Sequence, residues 1–207
     1  MVMTGKLFPP LQYQCVEEGL YRSGFPSETN YLFLSSLKLK TLVILGDECP
    51  LALIDFLGEE GITAVFIGSS NRIQQAAGYE SVGEEMVIKA LKLLMRAKHY
   101  PVLVTCKTGR ALTGCVIACL RKMQGWALIS IFEEYRRFAG YKPQQKYEEF
   151  IELFDTDVLP GQRNLINGSG SKGNGSGRNG GDGQGGGAEC ADISVPPPLF
   201  LAPIREG

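Results

Sequence analysis

One stretch of the chain gathers residue types that could do chemistry together: Val104-Thr-Cys-Lys-Thr-Gly-Arg-Ala-Leu-Thr-Gly114. The apolar run ending at Cys106 reads as a buried strand, and helical character resumes at Thr113. The cysteine therefore stands where a strand gives way to a loop that enters a helix. In that setting successive backbone N–H groups can point into one concavity, and the helix adds the positive end of its dipole. A cysteine in such a field is favoured as thiolate, the nucleophilic form. Gly109 and Gly114 permit close turns that a Cβ resists. The expected ligand is an oxyanion, cradled by the stretch Lys107, Thr108, Gly109, Arg110, Ala111, Leu112 and Thr113. The glycine and lysine spacing fits neither a Walker loop nor a dinucleotide fingerprint.

Such a cradle needs strands that end together, and the pattern of the chain supplies them. Residues 13–23, turning at Glu17-Glu18-Gly19, predict a hairpin. Ser27 is placed to cap a helix through residue 37. Residues 41–45 read as a buried strand, 51–60 as a helix ended by Gly61, and 62–67 as another strand. Ser81 and Glu84 have the spacing of a capping box opening a helix through about residue 98. Beyond the loop, residues 113–124, 128–138 and 145–154 read as helices. Strands alternating with helices predict an α/β domain over residues 5–158, with a mainly parallel central sheet flanked by helices. Ligands bind such sheets at the carboxyl ends of the strands, where Cys106 stands.

On these residues the chain resembles the plant and fungal atypical dual-specificity phosphatases, a branch of the cysteine-dependent protein-tyrosine phosphatase superfamily with the signature H-C-x-x-G-x-x-R-T-G. Gly19-Leu-Tyr-Arg-Ser-Gly-Phe-Pro26 is similar to the family's N-terminal motif. Cys115 to Trp126, Ile131-Phe-Glu-Glu-Tyr-Arg-Arg-Phe-Ala139 and Phe150-Ile-Glu-x-Phe154 are similar to its C-terminal helices. The resemblance implies the phosphatase fold and a mechanism for active members. There the cysteine attacks phosphorus, the signature arginine grips two non-bridging oxygens, a carboxylic acid protonates the leaving group, and water hydrolyses the phosphocysteine. Cys106, Lys107, Gly109, Thr113 and Gly114 keep their places in the family's signature, commonly H-C-K-x-G-K-H-R-T-G.

Other positions depart from it. Thr105 stands where the family has histidine, and Leu112 where it has the arginine clamp, while Arg110 falls on a variable basic position. The family's lysine–x–arginine pair appears as Lys142-Pro-Gln144, and Tyr147 occupies an aspartate position. The Pro-Asp-type segment aligns with Gly83-Glu84, leaving Glu84 as either general acid or helix cap. Leucine offers none of the charge-assisted bonds of a guanidinium fork. Losing even one positioned donor costs ~10²–10³ in rate. The resemblance and its departures together imply a pseudophosphatase: Cys106 a vestigial nucleophile, a phosphate-bearing ligand weakly bound, and active or inactive paralogues as partners. The alternative is an active enzyme on phosphotyrosine proteins or inositol (pyro)phosphates, with Lys107, Arg110 or Lys142 supplying the missing charge. Neither a cofactor nor a metal is expected.

The formal net charge of -1 gives no reason to expect nucleic acid or an anionic membrane as partner. No apolar run reaches the ~18 residues of a membrane span, and Met1 to Pro10 lacks the pattern of a secretory signal. Cys15, Cys49, Cys106, Cys115, Cys119 and Cys190 show no paired framework and no C-x-x-C, which fits free thiols in a reducing, cytoplasmic setting. Cys115 and Cys119, one helical turn apart, read as buried small hydrophobes or as a redox pair. His99 is expected at the surface, and Arg136-Arg137 beside Glu133-Glu134 as solvated helix charge. From 159 to 207 the chain turns to Gly, Ser and Asn and ends in an apolar, proline-rich piece, Ile193 to Ile204. Such a composition predicts a disordered tail, with a polyproline-type docking peptide as the sharper reading of its end. Limited proteolysis should trim the chain to about residues 1–160 and leave a folded core; rapid loss of that core, or protection of the glycine tract, would contradict this reading.

Overall fold

The computed structural model describes residues 6–46, 48–68, 82–140 and 145–159. Ser81, Lys142 and the expected tail beyond 159 lie outside the described residues. Strands β1 (Gln14–Glu17) and β2 (Leu20–Gly24) form the expected antiparallel hairpin, turning at Gly19 with φ +72°. Strands β3 (Thr41–Leu45), β4 (Thr63–Ile67) and β5 (Val102–Cys106) complete a five-stranded sheet of order β1-β2-β5-β3-β4. All its pairings except β1 with β2 are parallel. Central β3 and β5 are buried at every residue, and their sequences, TLVIL and VLVTC, are accordingly unbroken by charge.

Strand parity divides the core between the two faces of the sheet. Leu42, Ile44 and Leu103 point to one face, where they pack with Leu34 of α1 (Tyr31–Ser36) and with Leu53, Phe56 and Leu57 of α2 (Leu51–Glu59). Val43, Leu45, Val102 and Val104 point to the other. That face is covered by α3 (Glu84–Leu94) and α4 (Ala111–Met123) through Val87, Leu91, Val116 and Leu120. Outside α4, a third cluster joins Cys115 and Ala118 to Ile131 and Tyr135 of α5 (Leu128–Ala139) and to Tyr147 and Ile151 of α6 (Gln145–Leu153). Helix α4 is thus covered on two sides, as its nearly all-round burial requires. Among the described residues no helix is long and apolar enough to cross a membrane.

Three local expectations are corrected. The segment from Ser27 is not one helix but a 3₁₀ turn, Glu28–Asn30, followed by α1. There the Asn30 side chain accepts from the Ser27 N–H at 2.9 Å and donates to the Phe8 carbonyl at 3.1 Å, a local competition that disfavours a regular first turn. The capping-box reading also misplaces α3, which begins at Glu84 behind extended Gly83 and stops at Leu94. Arg96 then turns extended, and His99 lies partly exposed in the 3₁₀ turn Ala97–His99.

The third correction concerns charge. Glu134 is not solvated: it is buried against Arg121 of α4, whose Nε donates to it at 3.1 Å. The same guanidinium donates to Glu17 at 2.8 Å and to the Val16 carbonyl at 2.8 Å, tying the hairpin to α4 and α5. Arg136 makes its close fork across to Glu148 of α6, at 2.8 and 2.7 Å, and lies 4.0 Å from Glu133. Arg121→Met would leave Glu134 buried without its counter-charge, so it should lower stability by ~3–5 kcal/mol in urea unfolding. The exposed Arg136→Met should barely move the midpoint.

Candidate functional site

Strands β2 and β5 stop level with one another, Ser23 facing Thr105 and Gly24 facing Cys106. Cys106 is completely buried at the end of β5. The chain then turns through residues 107–110 and enters α4 at Ala111, with the Gly114 N–H donating to the Arg110 carbonyl at 2.8 Å to close the first turn. The turn lies directly on the backbone at the end of β2. Gly109 has φ +70°, and a Cβ there would collide with the Gly24 nitrogen and come within 2.6 Å of the Ser23 carbonyl carbon. Only glycine meets both demands. Among the described residues no backbone acceptor meets the N–H of Lys107, Thr108, Gly109, Ala111, Leu112 or Thr113. Among the described residues the Arg110 N–H finds only the Thr108 Oγ1, at a long 3.3 Å. A curled run of unengaged amides at a helix N-terminus can hold an oxyanion.

The side chains on this loop behave differently from one another. Leu112 is 4% exposed and belongs to the α3/α4 core, its Cδ1 only 3.6 Å from where a Cβ on Gly46 would lie. Thr113 is fully buried, and so is Thr105 at the family's histidine position; neither hydroxyl has a partner among the described residues. Lys107 and Thr108 are exposed, and Lys107 forms an exposed ion pair with Glu48 at 3.2 Å. Arg110 reaches the end of α5, its guanidinium 3.3 Å from the place of a Cβ on Gly140. Ala111 packs at the edge of the third cluster. Glu84 is exposed in the first turn of α3, with no hydrogen bond or ion pair to the loop among the described residues.

The sequence reading passed over Arg22. This side chain is fully buried, donates from Nη2 to the Gly109 carbonyl at 2.9 Å, and lies 3.9 Å from the centre of the Phe138 ring. Its Nε has no partner among the described residues. Burial pushes its pKa down to about 10, against the opposing pull of Glu134 and of the Cys106 and Cys115 thiols. The signal was parity: Arg22 sits two residues from buried Leu20, on the same face of β2. Burial also pushes the Cys115 thiol well up and that of Cys119 to about 12, so both serve as neutral packing groups. Among the described residues no cluster of three or more His, Cys, Asp or Glu side chains is placed to hold a metal.

Comparison with known proteins agrees with this geometry. A sequence model of the tyrosine phosphatase family matches residues 7–171. The "Probable tyrosine-protein phosphatase DG1060" of Dictyostelium discoideum is 43% identical over 152 residues, 73% of this chain and 90% of that protein. Inositol diphosphatase DSP2 of Oryza sativa subsp. japonica is 41% identical over 154 residues, 74% of each chain. The crystal structure of the core catalytic domain of the PP-IP phosphatase SIW14 from S. cerevisiae, in complex with citrate, superposes with a TM-score of 0.67 at 35% identity, over 74% of this chain and 91% of that one. The chain shares its fold with these proteins and belongs to the tyrosine phosphatase family.

Proposed function

We propose that this protein is a pseudophosphatase: it keeps the family's fold and amide cradle, binds phosphate-bearing ligands weakly, and does not turn them over. The observation that carries this reading is the placement of Leu112. At the clamp position stands a leucine with 4% of its surface exposed, packed into the core beside Gly46. It supplies no donor to an oxyanion, and no other cation on the loop takes its place in the described structure. Lys107 is paired outward with Glu48, and Arg110 lies along the end of α5. Without a charged clamp the charge that develops on a transferring phosphoryl group has only neutral amides to meet it. The lost bonds are worth ~1.5–3 kcal/mol each for charged partners. A simple oxyanion should therefore bind at about millimolar strength, ~4 kcal/mol.

The ligand class follows from the relatives. Plant proteins about as similar to this chain as any cited above are named inositol diphosphatases, so a highly phosphorylated inositol is the first candidate, ahead of phosphotyrosine. Partners are expected among active or inactive paralogues that share such ligands, in the cytoplasm. One observation favours the competing reading of a slow enzyme: Cys106 and the curled loop are both intact, and a nucleophile at the base of an amide cradle retains part of the machinery.

Phosphate release from an aryl phosphate and from an inositol pyrophosphate separates the two. Wild type should release no more phosphate than Cys106→Ser, while Leu112→Arg, whose long apolar stem can follow the buried path of the leucine, should gain at least ~10²-fold over wild type. Turnover by wild type that Cys106→Ser abolishes would establish an enzyme instead.

A further inference from the structure

A cation has gone from position 112, yet a fully buried guanidinium remains against the same loop. We propose that Arg22 is the positioning residue of the anion loop: it orients the Gly109–Arg110 peptide so that the cradle keeps its curl, and oxyanion binding depends on a side chain that never touches the anion. This deepens the anion-binding reading above and rests on it.

The geometry of the peptide bond makes the case. In a trans peptide the C=O and the following N–H point in opposite directions. The Gly109 carbonyl is drawn to Arg22 at 2.9 Å, so the Arg110 N–H faces away from Arg22. Its sole partner among the described residues is the Thr108 hydroxyl at 3.3 Å, a weak bond that a charged oxygen can displace. Rotation of this peptide would turn a carbonyl, not an amide, toward an incoming anion. Gly109 is also the residue of the loop whose backbone most needs such a restraint. It holds φ +70°, a region where glycine moves freely, and its neighbours leave no room for a Cβ that might narrow its choices. Arg22 therefore acts at the hinge.

Arg22 itself is held from several sides. Its backbone lies in β2, paired with Gln14 on β1 and Val104 on β5. Its guanidinium is stacked over Phe138 of α5, and its Nη2 comes within 3.7 Å of where a Cβ on Gly114 would lie. A strut braced by the sheet and by α5 transmits their rigidity to the loop. Packing alone would not require a charge here, because an apolar side chain of similar volume fills a buried site without desolvation. What the charge adds is a directional bond to one carbonyl, and that carbonyl belongs to the loop.

The test titrates tungstate into wild type, Arg22→Lys and Arg22→Met while following backbone amide shifts. In wild type the Gly109 and Arg110 amides should move and saturate. Arg22→Met should keep a dispersed, folded spectrum, show Arg110 displaced before any anion is added, and bind tungstate about tenfold more weakly or worse. Arg22→Lys, with its charge and a single flexible donor, should recover part of the loss. A folded Arg22→Met that binds as wild type does would overturn the proposal. Should Arg22→Met fail to fold, Arg22→Lys decides: unchanged Gly109 and Arg110 shifts with unchanged affinity overturn it, and displaced shifts with weaker binding support it. If wild type itself ignores tungstate, the anion-binding reading falls. The role of Arg22 is then read from the ligand-free shifts of Gly109 and Arg110 in the variants, where no displacement means no positioning.

Discussion

Three neighbouring strands of the parallel sheet end at one level, and the candidate site is shaped by the space they leave. Strand β2 ends at Gly24, β5 at Cys106, and β3 at Leu45 with Gly46 behind it. Gly24 lies opposite Cys106, and Ile44 opposite Thr105. Any loop leaving Cys106 must turn between two glycines. On one side Gly109 lies so close to Ser23 and Gly24 that no side chain fits, and on the other Leu112 approaches Gly46. Close backbone packing therefore limits the path of the loop, and the Arg22 bond to the Gly109 carbonyl completes it. In the proposed pseudophosphatase reading, this is how the loop keeps its curl with a leucine at position 112.

In the proposed reading the leucine changes what the site can do more than how it is built. Burying its side chain is worth ~1.5–3 kcal/mol relative to exposure, and that gain goes to the core shared by α3, α4 and the sheet. What remains for a ligand is short-ranged and directional: amides that reward an oxygen in the right place and little else. The nearby cations act differently. Lys107 is exposed and already paired with Glu48, so its field is screened over about 8 Å at physiological salt. If the loop binds an oxyanion as proposed, recognition follows the shape of the anion more than its total charge.

The sheet was legible in the sequence because central parallel strands must be apolar on both faces, and the runs at Thr41–Leu45 and Val102–Cys106 are unmistakable on that criterion. The loop was legible because a cysteine, a glycine and a following helix occur in the order that an amide cradle needs. The buried charges were not. Arg121 meets Glu17 across 104 positions of sequence, and Arg22 meets Gly109 across 87. Reading charges by helical neighbourhood leaves Glu134 as solvated, although its partner Arg121 lies on another helix. Before α1 Ser27 does cap, but it caps a 3₁₀ turn in which Asn30 bonds back to it and reaches to Phe8, which breaks the helix expected through residue 37.

Both buried arginines tie the N-terminal hairpin to the rest of the fold, and this gives the hairpin a part in shaping the site. Arg121 grips the end of β1 through Val16 and Glu17, and Arg22 links β2 to Gly109. Between them the Gly24 N–H donates to the Leu11 carbonyl at 2.8 Å. Apolar contacts alone resist a slip of register only through the faces they bury, whereas a charged fork adds a bond of fixed direction. A slip of β2 by one residue would carry Arg22 to the opposite face of the sheet, where Tyr21 now packs near Leu42 and Leu103. The Gly109 carbonyl would lose its donor and the loop its brace. On the proposed role of Arg22, the shape of the loop is thus inherited from the register of a hairpin more than eighty residues upstream.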